Sequence, residues 1–142
     1  LTYRAVHILQ RVDLISAEDT RKSGILLRHY NIKNKLSSYH SYNLKKETPR
    51  LVEKLLAGQS VALISDAGTP GISDPGYHLV QSCLQNKIRV IPIPGPSAFL
   101  TALVASGMPT QRFAFEGFLP QKKGRQTRLR KLAEEERTII IY

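Results

Sequence analysis

With 142 residues, 42% of them hydrophobic, and a net charge of +10, the chain can bury one core and is composed like a globular domain. No apolar run approaches the roughly 18 residues that would read as a membrane span, and no leader pattern is present, so the sequence points to one cytoplasmic domain. The lone Cys83 excludes an internal disulfide, and His7, His29, His40 and His78 lack metal-ligand spacing, so no metal site is expected.

Tyr3, Val6, Ile8, Leu9 and Val12 follow a helical pattern, which predicts a first helix over Thr2 to Arg11. Asp13 to Ala17 reads as a short strand whose end carries Glu18-Asp19-Thr20-Arg21. The next helix runs through Ile25, Leu26, Leu27 and Tyr30, with Asp19 or Thr20 able to cap it. Lys35 to His40 is a strand candidate, Asn43 to Thr48 a polar loop, and Thr48-Pro49 a cap and first helical residue. The helix through Leu51, Val52, Leu55 and Leu56 is expected to end before Gly58.

Val61 to Ile64 is continuously apolar, as expected for a central strand of a parallel sheet covered on both faces. The following loop holds Gly68, Pro70, Gly71, Pro75 and Gly76. Pro70-Gly71 suits the centre of a type II turn, and Ser73-Asp74-Pro75 reads as the start of a helix reaching about Gln85. In that helix Leu79, Val80, Cys83 and Leu84 place the thiol on a buried face. Asp66 therefore lies at the carboxyl end of a strand, where open α/β sheets bind ligands.

Arg89 to Ile93 reads as another strand, and Pro94-Gly95-Pro96-Ser97 breaks it before a helix from Ala98 to Ser106. Ser97 is a natural N-cap, and the helix would turn its free N–H groups toward an anion or carboxylate. Two such loops side by side would form a crevice. Phe113, Phe115 and Phe118 suggest a strand with an aromatic face, followed by a helix from about Gln126 to Glu135. Thr138 to Tyr142 reads as a buried strand; with a start at Leu1 rather than methionine, it suggests a portion of a longer protein. Strands alternating with helices predict a doubly wound, mainly parallel α/β sheet with helices on both faces.

The charge is unevenly placed. Lys122, Lys123, Arg125, Arg128, Arg130 and Lys131 follow one another with no acidic residue between Gln121 and Leu132. This suggests an anionic macromolecular partner, nucleic acid ahead of a membrane surface; a solvated basic helix face is the plainer alternative. GxGxxG, GxxxxGK[ST] and GxSxG patterns are all missing, which removes support for ordinary dinucleotide binding, P-loop nucleotide hydrolysis and a serine-nucleophile elbow. The residues alone reach a small polar ligand in a two-loop crevice, close to a basic surface.

The segments AEDTR (Ala17 to Arg21), SDAGTPGISDPG (Ser65 to Gly76), IPGPSA (Ile93 to Ala98), SGMP (Ser106 to Pro109) and FEGFLP (Phe115 to Pro120) occur in this order. In them the chain resembles the N-terminal domain of the small-subunit ribosomal RNA methyltransferases of the tetrapyrrole methylase superfamily. The resemblance implies transfer of a methyl group from S-adenosylmethionine to the ribose 2′-hydroxyl of a cytidine, with the cofactor folded in a cleft between two α/β domains. It also implies a first strand before Leu1, a C-terminal domain, and a homodimer in the full-length protein.

Carried over by position, Asp66, Ala67, Gly68, Thr69 and Ile72 correspond to the first cofactor loop, and Ser97 and Ala98 to the second. The reaction implied is an in-line displacement in which alignment is the main task. Asp19 is a candidate base, with helix capping as its competing role, and Arg21 a candidate phosphate clamp. Lys122, Lys123, Arg125 and Arg128 would guide the ribosomal RNA or small subunit. A corrin or porphyrin precursor methyltransferase and a non-catalytic RNA-binding domain are the competing readings; the AEDTR turn and DAGTP loop favour the ribosomal branch.

Overall fold

The computed structural model describes residues 1–142. Length pointed to one domain; contacts within the chain group into two compact units, Leu1–Pro96 and Ser97–Tyr142.

In the first unit, helix α1 (Tyr3–Arg11) leads to strand β1 (Leu14–Ala17), α2 (Thr20–His29), β2 (Lys35–Ser38), α3 (Leu44–Leu56), β3 (Val61–Ile64) and α4 (Gly76–Gln85). The strands form a parallel sheet in the order β2-β1-β3. The period-two alternation of strand side chains divides the core between its two faces. Leu14, Val61 and Leu63 pack with Leu51, Val52, Leu79 and Cys83 from α3 and α4. Ile15, Ala62 and Ile64 pack with Leu9 and Leu27 from α1 and α2. Helices therefore cover both faces, the doubly wound arrangement that strand–helix alternation predicted. Cys83 is a buried core thiol, and burial pushes its pKa up.

Three expectations are corrected. The central strand is β1, buried along its whole length; β3 lies at the edge of the sheet and is half-buried. An uninterrupted apolar run reports burial of side chains on two faces and carries no information about strand order. Helix α3 begins at Leu44, inside the stretch expected to be loop, and Pro49 lies within it. Leu44 packs against the core, and the Asn43 side chain ties the preceding turn, accepting from His40 N at 2.9 Å and donating to the Ser38 carbonyl at 3.1 Å. Residues 89–93 form no strand. Pro92, Pro94 and Pro96 remove N–H donors at alternate positions, and so from one side of any ladder.

In the second unit, α5 (Ala98–Ala105) precedes a parallel pair, β4 (Phe113–Gly117) and β5 (Thr138–Ile141), with α6 (Arg125–Leu132) between them. The aromatic face is present: the Phe99 ring lies 4.8 Å from Phe115, and Tyr142 lies 5.3 Å from Phe115 and 5.2 Å from Phe118. Such ring pairs add about 0.5–1.5 kcal/mol each beyond the area they bury.

Gly76 is fixed by close packing. A Cβ there would lie 2.8 Å from Asp74 Oδ1, 2.9 Å from Gly71 N and 2.9 Å from Leu63 Cδ2, whereas one at Gly95 would meet open space. Gly76→Ala is expected to cost about 1–3 kcal/mol, as overpacking does, and Gly95→Ala less than about 0.5 kcal/mol. Calorimetric melting of the two variants checks the difference.

Candidate active site at the carboxyl end of the sheet

Because the strands of the first sheet are parallel, the segments following β1, β2 and β3 emerge at one end of it. The segment after β3 is shaped by its own backbone bonds. Ile72 N donates to the Thr69 carbonyl at 3.3 Å across Pro70 and Gly71, and Gly71 has φ +88, the positive angle that a type II turn requires. Asp74 then pins the loop to the helix: its Oδ1 accepts from Gly71 N at 2.8 Å and Gly76 N at 2.6 Å. The capping oxygen is thus that of Asp74, while Ser73 adopts φ +58.

Asp66 joins this loop to the end of β1. Its Oδ1 accepts from Asp19 N at 3.1 Å, and its Oδ2 pairs with Lys22 Nζ at 2.7 Å. The bond raises the pKa of Lys22. Asp19 caps α2 by accepting from Arg21 N at 2.9 Å, and its carboxylate also takes Arg21 Nε at 3.1 Å and Nη2 at 2.9 Å. These bonds hold its pKa down at about 2. The same fork orients Arg21, whose side chain is 90% exposed and presents its remaining donors to solvent. Asp19, Arg21 and Asp66 are therefore brought together, and Lys22 joins them. Sequence reasoning missed Lys22, because only the pairing register of β1 with β3 puts it opposite a residue 44 positions away.

Beside this cluster lies a cavity of about 160 Å³ whose wall includes Ile8, Ile64, Gly68, Thr69, Pro94 and Pro96. The loops at 68–70 and 93–96 thus share one crevice, as expected. Asp66, Ala67 and Ile72 are not on its wall. The wall carries no charged side chain, so it does not repel a sulfonium cation and suits the apolar parts of a nucleoside ligand. Its volume lies below the 300–1,000 Å³ or so of pockets that bury a whole ligand of that size. The residues present fit part of S-adenosylmethionine.

Ser97 and Ala98 belong to the second unit. Ser97 takes the N-cap position of α5, but its side chain makes no capping bond; its carbonyl instead accepts from Thr101 N at 3.1 Å and Thr101 Oγ1 at 2.9 Å. The Thr101 hydroxyl donates back to a carbonyl and caps no N–H, so the first N–H groups of α5 have no side-chain cap. Lys122, Lys123 and Arg125 are exposed. Arg128 is also exposed but is engaged by Glu116 Oε2, with Nε at 2.8 Å and Nη2 also bonded. No three His, Cys, Asp or Glu side chains are grouped to hold a metal ion, and no helix is long and apolar enough to cross a membrane.

The family model described as Tetrapyrrole (Corrin/Porphyrin) Methylases matches residues 1–142. The chain belongs to the tetrapyrrole methylase family. Across its whole length this family member is 58% identical to a ribosomal RNA small subunit methyltransferase I from Pasteurella multocida and 57% identical to one from Synechocystis. It spans about half the length of these relatives, 51% in each case. A crystal structure of a uroporphyrin-III-C-methyltransferase from Thermus thermophilus matches 83% of this chain and 53% of its own, with a TM-score of 0.59 and 21% identity. A conserved protein from Aeropyrum pernix matches 84% of this chain and 42% of its own, with a TM-score of 0.61 and 21% identity. At that identity the likeness is one of fold.

Two measurements probe this tetrapyrrole methylase site. Arg21→Ala is expected to raise the Asp19 pKa from about 2 toward the ordinary 3.8, read by carboxyl-carbon NMR titration. A folded-state pKa held low stabilises above the unfolded value and loses that effect as pH falls. The Asp19 contribution is therefore complete above about pH 4 and lost toward pH 2. Glu116→Gln should free the Arg128 guanidinium, seen by NMR as faster exchange of its Nε–H with solvent.

Proposed function

We propose that the full-length protein transfers a methyl group from S-adenosylmethionine to the ribose 2′-hydroxyl of a cytidine in small-subunit ribosomal RNA. The observation that carries this reading is the identity of 58%, along the whole chain, with a relative named for ribosomal RNA small subunit methylation. The small ribosomal subunit is then the partner, the cytoplasm the place of action and a homodimer the working state. We further propose that these residues are the N-terminal α/β part of a two-domain enzyme whose other domain completes the cofactor site.

When bound, S-adenosylmethionine supplies an electrophilic methyl on a sulfonium leaving group, so the protein's main contribution is alignment. Gly68 and Thr69, with Ala67 behind them, would bound one side of the ligand, and the open space around Gly68 leaves room for close approach. Ile72, 44% exposed, is free to cover the ligand. Ser97 and Ala98 would present the N-terminus of α5, whose unpaired N–H groups suit the carboxylate of the methionine moiety. Asp66 acts by fixing the loop through Asp19 N and Lys22.

Asp19, fully engaged by Arg21 and acidic to about pH 2, is a weak proton acceptor near neutrality. Its role in this reading is to hold Arg21 outward for a substrate phosphate. Lys122, Lys123 and Arg125 supply further phosphate contacts, with Arg128 contributing once released from Glu116.

The test is methyl transfer from labelled S-adenosylmethionine by the full-length protein, offered hypomethylated small subunits or a corrin precursor. Ribose label in ribosomal RNA, reduced at least about tenfold in Asp66→Ala, is the expected result. Label in the precursor alone would assign the protein to tetrapyrrole chemistry. Salt-sensitive RNA binding without label in either substrate would mark a non-catalytic RNA-binding protein.

A further inference from the structure

The turn between β2 and α3 carries a feature that the mechanism leaves unused. Tyr42 stands there with 96% of its surface exposed. An exposed aromatic is ordinary on its own, but this one sits on a turn that is fixed before any partner arrives. Asn43 accepts from His40 N at 2.9 Å and donates to the Ser38 carbonyl at 3.1 Å and to Ser38 Oγ at 3.2 Å, while its own N–H donates to the His40 carbonyl at 3.0 Å. The His40 ring lies 6.1 Å from that of Tyr42, in an edge arrangement.

The turn also lies at the reacting end of the sheet. Tyr39 N donates to the carbonyl of Ala17, the last residue of β1, at 2.8 Å, and Asp19 and Arg21 follow directly. Tyr42 is three residues further on, within about 11 Å of Tyr39 along the chain. Along the chain, the charge around Tyr42 has one sign. Lys45 and Lys46 are exposed beside Tyr42, no acidic residue occurs from Thr20 to Lys46, and the next one, Glu47, is taken up by Arg50 at 3.0 Å.

An exposed ring on a hydrogen-bonded turn, flanked by unpaired cations and at the same end of the sheet as the candidate phosphate clamp, matches the way single-stranded RNA is read. Bases splayed out of a helix stack on aromatic faces, while lysines hold the neighbouring phosphates. We propose that Tyr42 is a stacking platform for an unpaired base of the substrate RNA, and that Lys45 and Lys46 hold the phosphates beside it. This rests on the ribosomal RNA reading above and adds to it a point of attachment within the first unit. Because the turn is already ordered, little ordering entropy opposes the stack.

The experiment measures affinity for hypomethylated small subunits, and methyl transfer to them, using the full-length protein and its Tyr42→Ala, Tyr42→Phe, Tyr42→Trp and Lys45→Ala/Lys46→Ala variants. Melting temperature and S-adenosylmethionine affinity serve as controls and should not move, since all three side chains point into solvent. Tyr42→Ala is expected to weaken subunit binding about tenfold, the scale of one base stack, without changing the salt dependence. The Phe and Trp variants should bind like the unaltered protein. The double lysine variant should lower the slope of log affinity against log salt by about 0.7–0.9 for each phosphate that is no longer neutralised.

Binding by Tyr42→Ala within twofold of the unaltered protein would overturn the platform while the ribosomal reading stands, because the unaltered protein would still label the RNA. An equal loss in Tyr42→Phe would overturn stacking in favour of a hydroxyl hydrogen bond. If the unaltered protein neither bound nor labelled the subunit, both readings would fall together.

Discussion

The structure of the first unit depends on a constant offset of 47 residues between β1 and β3. The offset is enforced at both ends of the strand pair. At the amino end, Asp13 Oδ2 accepts from Ser60 N at 2.8 Å and from Ser60 Oγ at 2.7 Å, bonds that also lower the Asp13 pKa. At the carboxyl end, Asp66 accepts from Asp19 N. Between them the register runs from Leu14 opposite Val61 to Ala17 opposite Ile64. A slip of one residue would turn every core side chain of β3 to the wrong face and undo both clasps at once.

The site's electrostatics follow from this constraint. Asp66, Asp19 and Asp74, the acids of the loops at the sheet's carboxyl end that the sequence marks most clearly, are all used as hydrogen-bond acceptors for the chain itself. They organise loops and aim cations. The outcome is a crevice with uncharged side chains on its wall, and an exposed Arg21 aimed outward at the same end of the sheet. Exposed ion pairs of this kind add little net stability, so their value here is orientation.

The same economy explains which sequence expectations needed revision. The polar stretch Asn43 to Thr48 has loop composition, yet helix α3 begins at Leu44, since Leu44 reaches the core and Asn43 ties off the preceding turn. Arg89 to Ile93 has strand composition, yet Pro92 within it and Pro94 and Pro96 just after it withhold N–H donors from one side of any ladder. Ser97 has the chemistry of a cap, but its hydroxyl makes no capping bond and the first N–H groups of α5 are left without a side-chain acceptor. In each case local propensity was outweighed by a group supplied from elsewhere or by one withheld.

By itself the sequence determined the doubly wound class, the turn at Pro70-Gly71, the buried Cys83, the shared crevice of the two proline–glycine loops, and the family to which the chain belongs. These are readable because periodicity, turn chemistry and long motifs are local properties, recorded within a few residues of one another. Tertiary structure alone decided that β1 is the central strand, that Lys22 and Asp19 converge on Asp66, that Asp19 is occupied by Arg21, and that Arg128 is held by Glu116. It also decided that Tyr42 stands exposed on a locked turn. Those facts depend on strand order, register and the meeting of side chains distant in the chain, which no local pattern encodes.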